Sequence, residues 1–238
     1  METRPKHAST VLLVRPDKSG AFEVLLTRRP DAMRFLGGFY VFPGGSIEAQ
    51  DRAKNVLARC RGLVPEEAER LLGNTLGPEL AVAHWIAGIR ELFEEVGIVL
   101  LSDASGVEVR SDSQSRGRFE EKRRAIVAGA SDFGEFLEAE NLYIDLRRAV
   151  YFAHRVTPEF FPIRFDTRFY LAALPQGQSA LESSEEVTHA LWIAPADALQ
   201  EANKNLPMLP PTTTMLQTLG GFGSWKSLCE KFSLSVQR

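Results

Sequence analysis

The chain has 238 residues, 44% of them hydrophobic, enough for one large core or for one domain carrying sizeable insertions. A net charge of −3 and a pI near 5.9 call for neither a nucleic-acid backbone nor an acidic membrane surface as partner. The two cysteines, Cys60 and Cys229, make no metal-ligand spacing and no disulfide framework, and no apolar run reaches 18 residues. The expectation is a soluble cytoplasmic protein with no nucleic-acid and no membrane partner.

Thr10 to Val14 and Phe22 to Thr27 are apolar, β-branched runs, and Pro16-Asp17-Lys18-Ser19-Gly20 between them is turn chemistry, so they predict a hairpin. Phe39 to Phe42 predicts a third strand ending at Pro43-Gly44-Gly45. Asp51 is placed to cap a helix beginning at Arg52, Pro65-Glu66-Glu67 opens a second helix, and Gly73 closes it. A longer helix is predicted from Pro78 to Val96, ended by Gly97, with a strand at Ile98 to Leu101. Residues 103–116 are polar and predict a loop; helices follow at 118–128 and 132–140. The basic run Arg116, Arg118, Lys122, Arg123, Arg124 is interleaved with Glu120 and Glu121 and predicts a solvated helix face. Strand signals return at Ala149 to Ala153, Arg168 to Leu174 and Val187 to Ile193. The remainder predicts helices at Pro195 to Ala202, Pro211 to Leu219 and Phe222 to Phe232. Strands on both sides of a helical middle imply one mixed α/β domain over residues 1–238.

The chemistry is concentrated in Arg90-Glu91-Leu92-Phe93-Glu94-Glu95-Val96-Gly97-Ile98. On a helix, Glu91, Glu94 and Glu95 fall within about 100° of arc, while Trp85, Ile86, Ile89, Leu92, Phe93 and Val96 take the other side. Three like charges on one arc repel, each close pair costing ~0.2–0.5 kcal/mol in an isolated helix. A divalent cation removes that repulsion and finds the hard oxygen ligands that Mg²⁺ prefers. Arg90, one turn before Glu94, can orient a carboxylate without neutralising the cluster. Ala87 and Gly88 are small enough for the Pro43-Gly44-Gly45 loop to come close. His84, His154 and His189 have no ligand spacing and are expected in packing or at the surface.

These residues resemble the Nudix box, G-x5-E-x7-R-E-U-x-E-E-x-G-U, where U is a bulky aliphatic. Gly45 matches its first glycine, and Arg90, Glu91, Leu92, Glu94, Glu95, Gly97 and Ile98 match its second half. Two positions depart. Asp51 stands where the family has its first glutamate, and 38 residues rather than seven separate Asp51 from Arg90. We read residues 52–80 as a helical insertion within the box at a surface loop, since closure entropy grows only logarithmically with loop length. The resemblance implies an α/β/α sandwich with a mixed sheet and a helical C-terminus, and Mg²⁺ or Mn²⁺ held by Glu91, Glu94, Glu95 and a main-chain carbonyl near Gly44 or Gly45. It also implies a catalytic base in the loop before the last strand. Glu186, ahead of Trp192, fits that place; Glu185 and Glu91 remain alternatives.

Upstream, Leu25, Leu26, Thr27, Arg29, Arg34, Gly38, Phe42, Pro43, Gly44 and Gly45 resemble the motif of Nudix coenzyme A hydrolases, with Pro30 in place of the usual Ser or Ala. Thr157-Pro158 and Arg164-Phe165-Asp166-Thr167-Arg168-Phe169-Tyr170 are similar to an acyl-CoA diphosphatase subgroup that also carries a long insertion in the box. The resemblance implies hydrolysis of CoA or acyl-CoA to adenosine 3′,5′-bisphosphate and (acyl-)phosphopantetheine. Arg29, Arg34, Gly38, Phe42 and Gly44 would then serve substrate binding, the arginines suiting phosphate. Two other readings stay open: a Nudix hydrolase of a dinucleotide, nucleotide sugar or damaged nucleotide, and a Nudix-fold binding or regulatory module without turnover. A homodimer is also compatible with the family.

Overall fold

The computed structural model describes residues 4–33, 36–110, 113–202 and 204–234, with residues 113 and 114 described by backbone alone. The chain opens with the expected hairpin, β1 (Lys6–Pro16) and β2 (Phe22–Arg28), followed by β3 (Tyr40–Val41) and β4 (Gly44–Ser46). The box insertion holds a short α1 (Lys54–Leu57), β5 (Cys60–Arg61) and α2 (Pro65–Leu71) before the long α3 (Pro78–Val96). Next come β6 (Leu101–Ser102), α4 (Ser113–Val127), α5 (Phe133–Ala139), β7 (Tyr143–Asp145), β8 (Val150–Val156), β9 (Phe165–Ala173) and β10 (His189–Ile193). Three helices close the chain: α6 (Pro195–Glu201), α7 (Pro210–Gly220) and α8 (Trp225–Phe232).

The main sheet runs β10-β2-β1-β9-β8, with β3 on β2 and β4 on β1. It is mixed: β1 is antiparallel to β2 and β4 but parallel to β9, from Lys6 opposite Phe165 to Val14 opposite Ala173. Alternation along each strand sends successive side chains to opposite faces. Val11, Leu13, Leu25, Tyr170 and Ala172 join one core, shared with α3 and the helices around it. Leu12, Val14, Val24, Leu26, Phe169 and Leu171 join a second core under the C-terminal helices. Both faces are covered, which makes the strands nearly continuous apolar runs.

Helix α3 is the central element. Pro78 stands at its start, where a missing N–H costs nothing, and Gly97 ends it in the left-handed conformation (φ 72°). Ile86, Ile89, Leu92 and Val96 are fully buried, and the Trp85 indole donates to the Ala149 carbonyl at 2.7 Å.

Four expectations need correction. Asp51 caps no helix: it sits in a single 3-10 turn (Gln50–Arg52), and Ala53 precedes α1. Of Ile98 to Leu101 only Leu101 enters a strand, because the Gln178 side chain occupies the backbone of Val99 on both sides, at 2.9 Å each. The 52–80 insertion is no surface appendage. Val56, Ala68 and Leu72 lie in the main core, and β5 pairs with β7 in a small second sheet that the sequence did not predict. Helix α4 starts earlier than residue 118 and is not wholly solvated, since Arg123 on it is 2% exposed.

Candidate active site

Two segments 38 residues apart in sequence meet at the middle of α3. Arg90 grips Asp51 with two hydrogen bonds, Nε to Oδ1 at 2.8 Å and Nη2 to Oδ2 at 3.2 Å, and both residues are 1% exposed. The second Asp51 oxygen also accepts the Glu48 amide at 2.8 Å, so Asp51 fixes the turn that follows the glycine loop. The rest of the Arg90 fork reaches the Ser46 carbonyl (3.1 Å), Glu94 Oε2 (2.9 Å) and Glu91 Oε1 (2.9 Å). Burial works against the guanidinium charge, but Glu91, Asp51 and Glu94 together hold it protonated above its ordinary range. A fork with this many fixed partners is a rigid support rather than a mobile cation.

The acids are more enclosed than an amphipathic helix implies. Glu91 is 8% and Glu95 4% exposed. Burial pushes the Glu91 carboxyl up to about 7, with Arg90 opposing and Glu94 and Glu186 adding to the rise. Burial raises Glu95 well above the carboxylate range, helped by Glu91 and countered by Arg29 and by the Gly44 amide. Burial likewise raises Glu94, with Arg90 opposing. Glu94 Oε1 and Glu95 Oε2 are buried and have no hydrogen-bond partner. A buried carboxyl oxygen without a partner is costly, and a positive charge beside it would offset that cost.

The glycine loop closes over the same face. A Cβ on Gly44 would meet the Ser9 carbonyl at 2.3 Å and collide with backbone, and one on Gly45 would stand 2.2 Å from Glu91 Oε1 and displace that carboxyl. This approach places loop backbone directly against the carboxylates. Gly88 faces Val11 and Ser9 of the sheet instead, and it is Glu91 that meets the loop.

The remaining predicted residues divide. Arg29 and Glu186 lie near enough to interact electrostatically with Glu95, and Glu186 does so with Glu91 as well. Arg29 is half-buried with an unpartnered Nε, while Glu186 is exposed. Gly38 (φ 78°) shapes the turn between β2 and β3, its amide donating to the Arg29 carbonyl at 3.0 Å. Phe42 is buried in the second core beneath the loop rather than at the surface. Arg34 lies outside the described residues. Among the described residues, no group of three His, Cys, Asp or Glu side chains already stands in metal-holding geometry. In this arrangement Glu91 and Glu94 are turned onto Arg90.

Arg123 was missed. Its Nη1 donates to the Glu94 carbonyl at 2.7 Å and its Nη2 to Glu185 at 3.0 Å. The available signal was spacing: Phe119, Arg123 and Ile126 recur at i, i+4 and i+7, so a cation sits on the helix's only apolar stripe.

A family model described as the NUDT19 Nudix domain matches residues 5–219. The chain belongs to this Nudix family. The crystal structure of a Nudix hydrolase from Alicyclobacillus acidocaldarius is similar over 99% of each chain, with a TM-score of 0.75 and 26% identity. Among curated proteins, the acyl-coenzyme A diphosphatase NUDT19 of Xenopus laevis is 26% identical, over 80% of this chain and 57% of its own length. The human acyl-coenzyme A diphosphatase NUDT19 is 25% identical, over 92% of this chain and 66% of its own length. The chain thus spans about three-fifths of the curated relatives it matches. The architecture is the Nudix α/β/α sandwich, with α3 as the Nudix helix. Among the described residues no helix is long and apolar enough to cross a membrane.

Proposed function

We propose that this chain is a metal-dependent Nudix pyrophosphohydrolase acting on CoA or acyl-CoA, releasing adenosine 3′,5′-bisphosphate and (acyl-)phosphopantetheine. One observation carries the reading: the partnerless buried oxygens of Glu94 and Glu95, on a face that the glycine loop approaches without a side chain between. Hard, desolvated carboxylate oxygens without protein partners fit Mg²⁺ or Mn²⁺. Glu91, Glu94, Glu95 and the carbonyl of Gly45 or Gly44 would hold the ion. When bound, it supplies polarisation of phosphoryl oxygens and acidification of water.

The chain's own residues do the rest. Arg90 keeps Glu91 and Glu94 in register with Asp51 and the loop. Arg29, the cation facing Glu95, is placed to pair with a phosphate oxygen of the substrate. Glu186 accepts the proton of the attacking water, with Glu185 and Glu91 as the other carboxylates in reach of that role. We assign Arg34 to the 3′-phosphate of CoA, with Gly38 setting the turn that leads from β2 to β3 and Phe42 supporting the loop from below. The acyl-coenzyme A diphosphatases among its relatives support this substrate class. The free cysteines Cys60 and Cys229 fit a reducing compartment such as the cytoplasm.

The test is a substrate panel with product identification, run with Mg²⁺, with Mn²⁺ and with excess chelator. CoA and acyl-CoAs should give adenosine 3′,5′-bisphosphate, and only with metal. Faster turnover of NADH, ADP-ribose or a nucleoside triphosphate would move the assignment to another Nudix substrate. Tight binding without turnover would make the chain a regulatory module.

A further inference from the structure

Arg123 is a buried cation on a helix whose other charges are solvated. Burying a guanidinium is unfavourable unless its donors are met, and here they are. Nη1 donates to the carbonyl of Glu94, one of the terminal carbonyls that α3 leaves without an intrahelical partner. Nη2 donates to Glu185 Oε2 at 3.0 Å, and Nε and Nη2 hold Glu120 one turn back at 2.9 and 3.0 Å. One side chain therefore joins three segments: α4, the last turn of the Nudix helix, and the loop ahead of β10. Glu186 follows Glu185 directly, and its charge is felt by both Glu91 and Glu95. Where the loop is tethered decides where that carboxylate stands.

We infer that Arg123 is a positioning residue, holding the Glu185–Glu186 segment against the end of the Nudix helix so that Glu186 keeps a fixed relation to the helix acids. This rests on the functional reading above, in which Glu186 takes the proton. The competing view makes Arg123 a staple that only docks α4 onto the core. A staple predicts lower stability with an unchanged loop and an unchanged kcat.

Two measurements separate them, on wild type and the variants R123K, R123M and E185Q. The first is hydrogen–deuterium exchange of the metal-free full chain, read over residues 182–188. The second is steady-state kinetics with CoA and Mg²⁺. R123M and E185Q should speed exchange in that segment. R123M should also lower kcat by about tenfold to a hundredfold, the penalty of a reacting group displaced by about 1 Å. KM should stay within about twofold, since the lost interaction acts in the transition state. R123K keeps the charge without the planar fork and should fall between. E185Q alters a half-exposed carboxylate and leaves Arg123 its other partners, so its exchange reports on the tether even if R123M does not fold, while the kcat effect is read from the Arg123 variants, because Glu185 is itself an alternative base. Unchanged exchange over 182–188 in both E185Q and R123K would overturn the inference, as would faster exchange with an unaltered kcat. If wild type fails to turn over CoA, the substrate reading falls, while the exchange result still decides whether Arg123 holds the loop.

Discussion

The Arg90–Asp51 pair shows how one contact organises the site. Both groups are buried, and removing Asp51 takes one of three carboxylates from a buried guanidinium; breaking a buried pair costs about 3–5 kcal/mol. Asp51→Ala should therefore lower the urea-unfolding free energy of the metal-free protein by about that amount. A variant as stable as wild type would mean that Glu91 and Glu94 suffice for Arg90. Gly45→Ala tests the loop instead. Its Cβ would collide with the Glu91 carboxylate, so turnover should fall by roughly a hundredfold while circular dichroism stays native. Residues 90–98 revealed the acids because their spacing fits one helix face. Asp51 was legible as a box position but not as the partner of Arg90, because a contact across 38 residues leaves no local periodicity. Arg123 was hidden by its neighbours: five basic residues among acids read as solvated, and the Phe119–Ile126 stripe that exposes the exception is only two residues deep.

At the scale of elements, helices with strong end signals were readable and short strands were not. Helix α2 and α3 begin at Pro65 and Pro78, and the left-handed Gly73 and Gly97 follow their ends, which is the asymmetry that marks helix boundaries. Strands β5, β6 and β7 are two or three residues long, too short to show alternation, and only tertiary pairing defines them. They matter because they bind the insertion to the body of the protein. Leu72, just past α2, is 6% exposed in the main core. Leu72→Ala should cost about 2–5 kcal/mol, while kcat per folded molecule stays near wild type. Denaturant melts paired with active-site titration would check this. A loss under 1 kcal/mol would return the insertion to the surface role that the box spacing implied.

For the whole molecule, acid sensitivity has a named source between sheet and helix. His84 is fully buried, its Nδ1 3.0 Å from the Ser9 hydroxyl and its Nε2 without a partner. Burial, with Arg168 and His7 adding to it, drives its pKa from 6.5 down to about 3. The folded value lies below the unfolded one. Stability linked to His84 is therefore complete above pH 6.5 and is lost as the pH falls toward 3, because the unfolded chain takes up the proton first. Glu91 acts in the opposite sense: its raised value favours the folded state as the pH drops from about 7 to 4.5. Comparing His84→Gln with wild type at pH 7 and pH 5 isolates the histidine; the variant should lose less stability between the two, and parallel losses would acquit His84. The sheet's strand order carries a different consequence, one of timing. Strand β1 finds its parallel partner only in β9, some 160 positions later. On a ribosome adding ~5–20 residues per second, the 77 residues from Val96 to Ala173 take roughly 4–15 s to make. For that interval the finished Nudix helix packs on β1 and α2 beside a sheet that still lacks β9. Until then β1 keeps one edge unpaired, and Glu186 joins the helix acids only once the second half of the chain has arrived.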